Sequence, residues 1–518
     1  MPRTPPLIVL AGRVFGHPDA DAVAVSGERI ERVGPHRELL AEKPPGTRVV
    51  GNGTGLICPG FHEAHGHLVH TGLAALEVDL AGCSLEQIGP RLRARLATDA
   101  AGEWVVANGV APGTFEEATS PPRAVLDTWV PRRPALLRAH DHHAVFLNTA
   151  GLARVGALDG RPSAHRAYVD VDGTGEPTGR MVEDAAWAAE SVAAVTGPDV
   201  RRAATRAAVR ALHAAGIVAF HEMSGSREHS TLRALDAAGE LDLDVFATVS
   251  EGDLSDPAAR TSGERLRIVG TKVFLDGALG SKTAALLEPY EGMGDHCGLQ
   301  TLTFEHALDI VRRSADVGLP GYLHAIGDAA VRSALDVFAY ERADDGPVLR
   351  HRVEHAQMIH ADDLPRFAEL DVIASLQPIH LADDAPWVHR LWGARSNRAF
   401  PLRRLVDSGA RLALGSDTPI ETFDVLAGIR AAVERRGRDG TLLHPEEALT
   451  VGEALRGYTS GAAYAVGAER EFGEVQPGRV ASLTLLTHDI EYAPETLHAC
   501  RVAATIVRGS VVHEAHEA

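Results

Sequence analysis

Compact apolar runs alternating with Ala/Leu/Arg-rich helical stretches predict an α/β fold of the (β/α)8, or TIM-barrel, class. Two further observations support it: chemistry-bearing residues stand where successive apolar runs end, and no Gly-rich phosphate loop follows an early strand. The runs lie at 217–220, 245–249, 267–275, 321–323, 372–376 and 412–414. Helical stretches fall at 86–96, 199–215, 230–238, 304–317, 329–343, 361–369 and 401–408. A doubly wound open sheet is the rival arrangement, and it would favour a GxGxxG or GxxxxGK[ST] loop that the chain lacks.

Taken in order, residues 7–58 read as short strands with a hairpin turn at Gly27-Glu28. The barrel texture begins near Pro59. Two surplus runs, 104–106 and 135–138, are assigned to an inserted subdomain at roughly 100–195, a Pro- and Gly-rich region with a hairpin-like piece at 169–175. After about 470 the texture returns to strands, at 482–486 and 502–507. The first and last segments are alike, so they are expected to pair into one small β-domain. The expected division is therefore 1–58 with 470–518 as a composite domain and 59–469 as the barrel.

Composition narrows the function classes. A chain of 518 residues holds two or three domains, or one large barrel with insertions. A net charge of -19 argues against a nucleic-acid partner, and 5% aromatic residues do not suggest a base-stacking or sugar-stacking surface. No apolar window reaches membrane-spanning length, and the run near the start is too short for a signal peptide. Cys58, Cys83, Cys297 and Cys500 are scattered, which fits a reducing compartment; the cytoplasm is expected. A small molecule is the expected partner, with no membrane or nucleic acid and with a homodimer admitted.

In Pro59-Gly60-Phe61-His62-Glu63-Ala64-His65-Gly66-His67, His65 and His67 stand two residues apart, so in extended backbone both rings point to one side. That suits a metal ion or, alternatively, a polar loop. Lys272 sits inside the apolar run 267–275, where it must pair with a carboxylate, snorkel or be modified to a carbamate. His324 and His355 end successive runs, each readable as a ligand or as a structural histidine. Asp417 follows the last run, as a carboxylate ligand or a helix cap. Nitrogen and oxygen donors of this kind suit zinc, with manganese, iron or nickel as alternatives.

The order His-x-His, lysine, histidine, histidine, aspartate resembles the amidohydrolase superfamily, and the surrounding phrases look like its YtcJ-like (amidohydrolase-3) branch. Those phrases include His324-Ala-Ile-Gly327-Asp328, Val353-Glu354-His355-Ala-Gln357, Gln377-Pro378 with His380, and Gly415-Ser416-Asp417. Departures from the pattern are His62, Glu63, Lys282, Thr418 and Ser482. The resemblance implies a metal-bearing barrel with a β-sandwich domain built from both chain ends. It implies one or two divalent ions, zinc foremost: one on His65 and His67, another on His324 and His355. A carboxylated Lys272 would bridge them and Asp417 would bind metal.

The implied function is hydrolysis of a non-peptide C–N bond, amide or N-formyl, in a small molecule; a deaminase, esterase or lyase is the alternative. Asp417 would take a proton from the attacking water, and the neighbouring imidazole of His380 would help polarise the carbonyl. His143, Gln377 and His380 are assigned to the substrate pocket, with loop hydrogen bonding as their alternative. Asp276 is either a substrate contact or, with Lys282, an anchor for the loop after the lysine strand. The pairs Asp383-Asp384, Arg201-Arg202 and Arg435-Arg436 are expected to be solvated surface.

Overall fold

The computed structural model describes residues 5–98, 103–158, 169–193, 196–343 and 348–515. Eight strands form its centre: β1 (Phe61–Gly66), β2 (Ile217–Glu222), β3 (Asp244–Val249), β4 (Leu266–Phe274), β5 (Gly321–Ala325), β6 (Arg352–His355), β7 (Ile373–Leu376) and β8 (Leu412–Leu414). They pair in sequence order and all in parallel. β2, β3, β5 and β8 are buried on both faces, which is why runs such as 217–220 and 245–249 read as continuous apolar stretches and not as alternating ones. The two end strands meet. Asp417 N donates to His65 O at 2.7 Å and His67 N to Thr418 O at 2.8 Å, bringing the sheet close to closure just beyond β1 and β8. Gly415 permits that approach: a Cβ there would stand 2.3 Å from Glu63 Oε1 and 2.7 Å from His65 N. This is a TIM barrel.

Helices return the chain between strands. Phe304–Asp316 buries Ala307, Leu308, Ile310 and Val311 on one stripe against the sheet, and the Thr303 side chain caps its start by accepting from His306 N. Truncating a core leucine such as Leu323 to alanine would cost about 2–5 kcal/mol. Two arginines expected at the surface are buried instead. Arg201 donates to Glu228 and Thr231, while Arg435, fully buried, donates to the carbonyls of Leu443 and Phe400. Each lies in a helix or at its end where the packed face, invisible in a charge pair, takes one arginine of the two.

Between β1 and β2 a six-stranded sheet is inserted, ordered Val169–Val171, Pro177–Val182, Ala144–Leu147, Ala135–Ala139, Val105–Val110, Val78–Asp79. The surplus runs belong to it, and its first strand in the chain lies well before residue 100. It has its own apolar cores, one around Leu126, Leu137 and Phe146 and one around Leu136, Leu152 and Met181.

The chain ends pair. Leu483–Leu486 lies antiparallel to Leu56–Pro59, in a five-stranded sheet completed by Arg13–Val14, Val502–Val507 and Ser510–Glu514. Four N-terminal strands make a second sheet, and both contribute to one core that includes Val9, Val23, Ile57, Leu483 and Ile506. This unit is tied to the barrel at the start of β2. Thr484 Oγ1 and Thr505 Oγ1 each donate at 2.6 Å, to the carbonyls of Gly216 and His213. Among the described residues no helix is long and apolar enough to cross a membrane.

Candidate metal centre

The C-terminal ends of β1, β4, β5, β6 and β8 bring the six proposed ligands to one mouth. His65 is buried at the tip of β1; its Nδ1 lies 2.6 Å from Glu354 Oε2, and its Nε2 lies 3.6 Å from Asp417 Oδ1. His67 presents Nε2 to the same oxygen at 3.3 Å, with Nδ1 3.0 Å from Ser224 Oγ. Each ring is thus held by one nitrogen while the other faces the centre, the usual support for a metal-ligating histidine. Lys272 Nζ stands 3.4 Å from His65 Nε2 and 4.8 Å from the centroid of the Phe274 ring. His355 Nδ1 lies 4.0 Å from Asp417 Oδ2.

Donor atoms of His65, His67 and Asp417 all lie within 4.8 Å of one another. Asp417 Oδ1 and His355 Nδ1 are buried and have no hydrogen-bond partner among the described residues. Oδ1 faces the His65 and His67 nitrogens and His355 Nδ1 faces Oδ2; buried polar atoms left so are costly, and a divalent cation among them would remove the cost. The donor set fits such an ion. His324 stands apart from the tight group: its Nε2 is 3.2 Å from the Gly277 carbonyl, although its ring lies 4.4 Å from that of His355. Asp417 and His355 both adopt left-handed backbone, at φ 63° and 73°, a strain that is sustained at sites where the surroundings overdetermine the geometry.

Electrostatics follow the geometry. Burial would raise the Asp417 carboxyl, yet the His65 and His67 rings hold it well below the carboxylate range. Burial pushes the Lys272 ammonium down to about 8. Burial also lowers His65, to about 4, with Lys272 adding to the effect, so the ring is neutral and able to ligate. Glu354 is held at about 2 against its own burial, chiefly by Arg352, whose Nε is 2.7 Å from Oε1. Glu63 accepts from Ser416 N, Ser416 Oγ and His65 N, clamping the two strand ends together, and burial raises it to about 7.

The remaining expected residues divide. His143 lines the cavity beside His324, its Nδ1 2.8 Å from Glu183 Oε2. His380 Nε2 lies 4.0 Å from Asp417 Oδ2 and its Nδ1 3.1 Å from Gln357 Nε2. Gln377 is buried, and neither amide atom has a partner among the described residues. Asp276 is a loop anchor: fully buried, it accepts from Ala285 N, Ile326 N and Gly327 N at 2.8–3.0 Å, and its Oδ1 lies 3.5 Å from His324 Nε2. Lys282 spans from the loop after β4 to Glu116 of the insertion at 2.6 Å.

Sequence reasoning missed the supporting shell. Arg352 and Glu354 lie two apart on β6 and so share its inner face, a spacing that could have flagged them. Glu222 and Ser224, which brace Leu68 and His67, and His140, just beyond the inserted strand Ala135–Ala139, left no comparable signal. Asp384, expected at the surface, instead lines the cavity beside His380, because the helix Leu381–Trp392 lies over the barrel mouth. An outer cavity of about 600 Å3 opens between the insertion and the loop after β4. It shares His140, Asp141 and Gly280 with this inner pocket.

Comparison with known proteins agrees with the geometry. Residues 54–513 match the family described as Amidohydrolase family. YtcJ of Bacillus subtilis (strain 168) is 30% identical over 512 residues, covering 95% of this chain and 96% of that protein. The N-substituted formamide deformylase of Arthrobacter pascens is 28% identical, covering 96% of this chain and 95% of the relative. Among solved structures, an uncharacterized metal-dependent hydrolase from Pyrococcus horikoshii superposes with TM-score 0.76 at 25% identity, over 99% of this chain and 100% of that one. With a barrel that gathers histidines and an aspartate at its mouth, and a family match over most of its length, the chain belongs to the amidohydrolase family.

Proposed function

We propose that this protein hydrolyses a C–N bond of amide or N-formyl type in a small molecule, using water activated at a zinc-class divalent centre. The observation that carries the proposal is the meeting of His65, His67 and Asp417 donors within 4.8 Å, with Asp417 Oδ1 left without a hydrogen-bond partner. His65, His67, His355 and Asp417 would hold the ion, with His324 and Lys272 at its edge. A divalent ion in such a site lowers the pKa of water and polarises a carbonyl. The likeness to a deformylase of N-substituted formamides supports the amide class.

The chain's own groups supply the proton handling. Asp417, ionised throughout the neutral range, orients the attacking water and accepts its proton at a carboxylate oxygen, then returns it to the leaving nitrogen. His380, whose Nε2 has no hydrogen-bond partner among the described residues, is positioned to donate to the carbonyl oxygen as it gains charge. Lys272, lowered by burial, has an amine within reach of carbon dioxide; the resulting carbamate would add oxygen donors beside His65. Glu354 and Ser224 fix the ring orientations of His65 and His67.

The test is Asp417→Asn assayed with formamide, amide and ester panels alongside metal analysis. We expect a loss of at least about a hundredfold in kcat, the order associated with a general base. Near-wild-type turnover would refute the role given to Asp417, and ester turnover without amide turnover would refute the bond class.

A further inference from the structure

The inner pocket carries a charge imbalance that the hydrolytic machinery does not use. Four carboxylates, Asp141, Asp383, Asp384 and Glu421, cluster where the insertion faces the helix Leu381–Trp392. Two basic groups answer them. Arg438 donates to Asp383 Oδ1 at 2.8 Å and Glu421 Oε2 at 2.7 Å, and His140 Nε2 lies 3.2 Å from Glu421 and 3.4 Å from Asp383. Asp383 and Glu421 are therefore satisfied. Among the described residues no arginine or lysine pairs with Asp384, which meets only Gln357 Nε2, at 3.3 Å. Among the described residues Asp141 likewise has only Ser281 Oγ and the His143 N–H as donors.

The second observation is Gln357. It is only 3% exposed, lines the same pocket, and its Oε1 has no partner among the described residues. Its orientation is decided by its neighbours: Nε2 lies 3.1 Å from His380 Nδ1 and 3.3 Å from Asp384, and a flip would set Oε1 against the carboxylate. The pocket wall thus offers an amide oxygen with no donor and two carboxylates that, among the described residues, no arginine or lysine answers. Buried acceptors in a negative field call for a donor-rich cation. Burial, with Glu421 and Asp141 nearby, raises Asp384 to about 8 against the opposing pull of His140, so a cation seated there would draw the group into its ionised form.

We propose that this wall is a substrate subsite for a cationic nitrogen, an ammonium or guanidinium group on the same molecule as the scissile amide, seated on Asp384 and Gln357. The inference rests on the amide-hydrolase reading for the other end of the substrate. The two ends are linked through side chains: His380 Nδ1 lies 3.1 Å from Gln357 Nε2 and its Nε2 lies 4.0 Å from Asp417, so the subsite adjoins the candidate metal centre.

The test uses the metal-loaded full chain. Mono-N-formyl diaminoalkanes are compared with N-formyl alkylamines of equal length, and binding of n-butylammonium is compared with 1-butanol by calorimetry. We expect kcat/KM to favour the cationic member by at least about tenfold and the ammonium ion to bind while the alcohol does not. In Asp384→Asn the preference should fall to about twofold or less, and in Asp384→Glu it should survive. Equal or better use of the neutral series, or no ammonium binding, overturns the subsite. A second metal equivalent that disappears in Asp384→Asn would also overturn it, by making the cluster an ion site. If no formamide is cleaved, the reaction class fails, while the ammonium titration still decides the subsite.

Discussion

Replacing Glu354 by glutamine tests whether the site is a metal centre or only a polar knot. Glu354 is fully buried, 2.6 Å from His65 Nδ1, with Arg352 Nε 2.7 Å from its other oxygen. At an effective dielectric near 20, unit charges at that separation attract by about 6 kcal/mol. Desolvation offsets much of this, so breaking the pair should lower stability by about 3–5 kcal/mol. Oε2 also accepts from Arg352 Nη2 at 3.0 Å, so a glutamine must turn its NH2 group either against Arg352 Nε or, flipped, against Arg352 Nη2 and His65 Nδ1, and in both cases the charged support of the His65 ring is lost. Loss of such a support typically weakens metal affinity about 10–100-fold, equivalent to about 1.4–2.7 kcal/mol. Unfolding of chelated and zinc-loaded protein separates the two effects. The variant should be less stable in both forms, and the extra stability that metal confers should shrink by about 1.4–2.7 kcal/mol at fixed excess. An unchanged metal-induced increment, with both forms destabilised equally, would show that Glu354 serves packing alone and does not support the metal site.

Lys272→Ala should reduce bound metal per chain in protein grown with bicarbonate; unchanged stoichiometry would exclude the carbamate. The His143–Glu183 pair makes a pH prediction. His143 is held at about 9, its burial outweighed by Glu183, against about 6.5 when unfolded, so the folded state binds the extra proton. Its contribution is complete below about 6.5 and disappears as pH rises through about 9. The urea-midpoint gap between wild type and Glu183→Gln should therefore be widest near pH 6 and close above about 9; a gap constant across that range would refute the ion pair.

Much of the barrel was legible before any coordinates. The run at 267–275 became β4, Leu266–Phe274, and the helical stretch at 329–343 became Asp328–Arg342, because strands buried on both faces and helices with one apolar stripe leave opposite periodicities in the chain. His65, His67, His324, His355 and Asp417 were readable because a parallel barrel delivers each strand end to the same rim. The helix Leu381–Trp392 was not found, since Pro386 interrupts its pattern, and with it went the true place of Asp384.

The sequence by itself determined which side chains reach the mouth, since strand order and strand ends are local properties of an alternating apolar pattern. Tertiary structure alone decided how they are used there. Whether Asp276 meets substrate or three backbone N–H groups, and whether Asp384 faces solvent or a pocket, depends on segments distant in the chain. Charge and hydrogen-bond partners are set by distances of a few ångströms through space, which no spacing along the chain encodes.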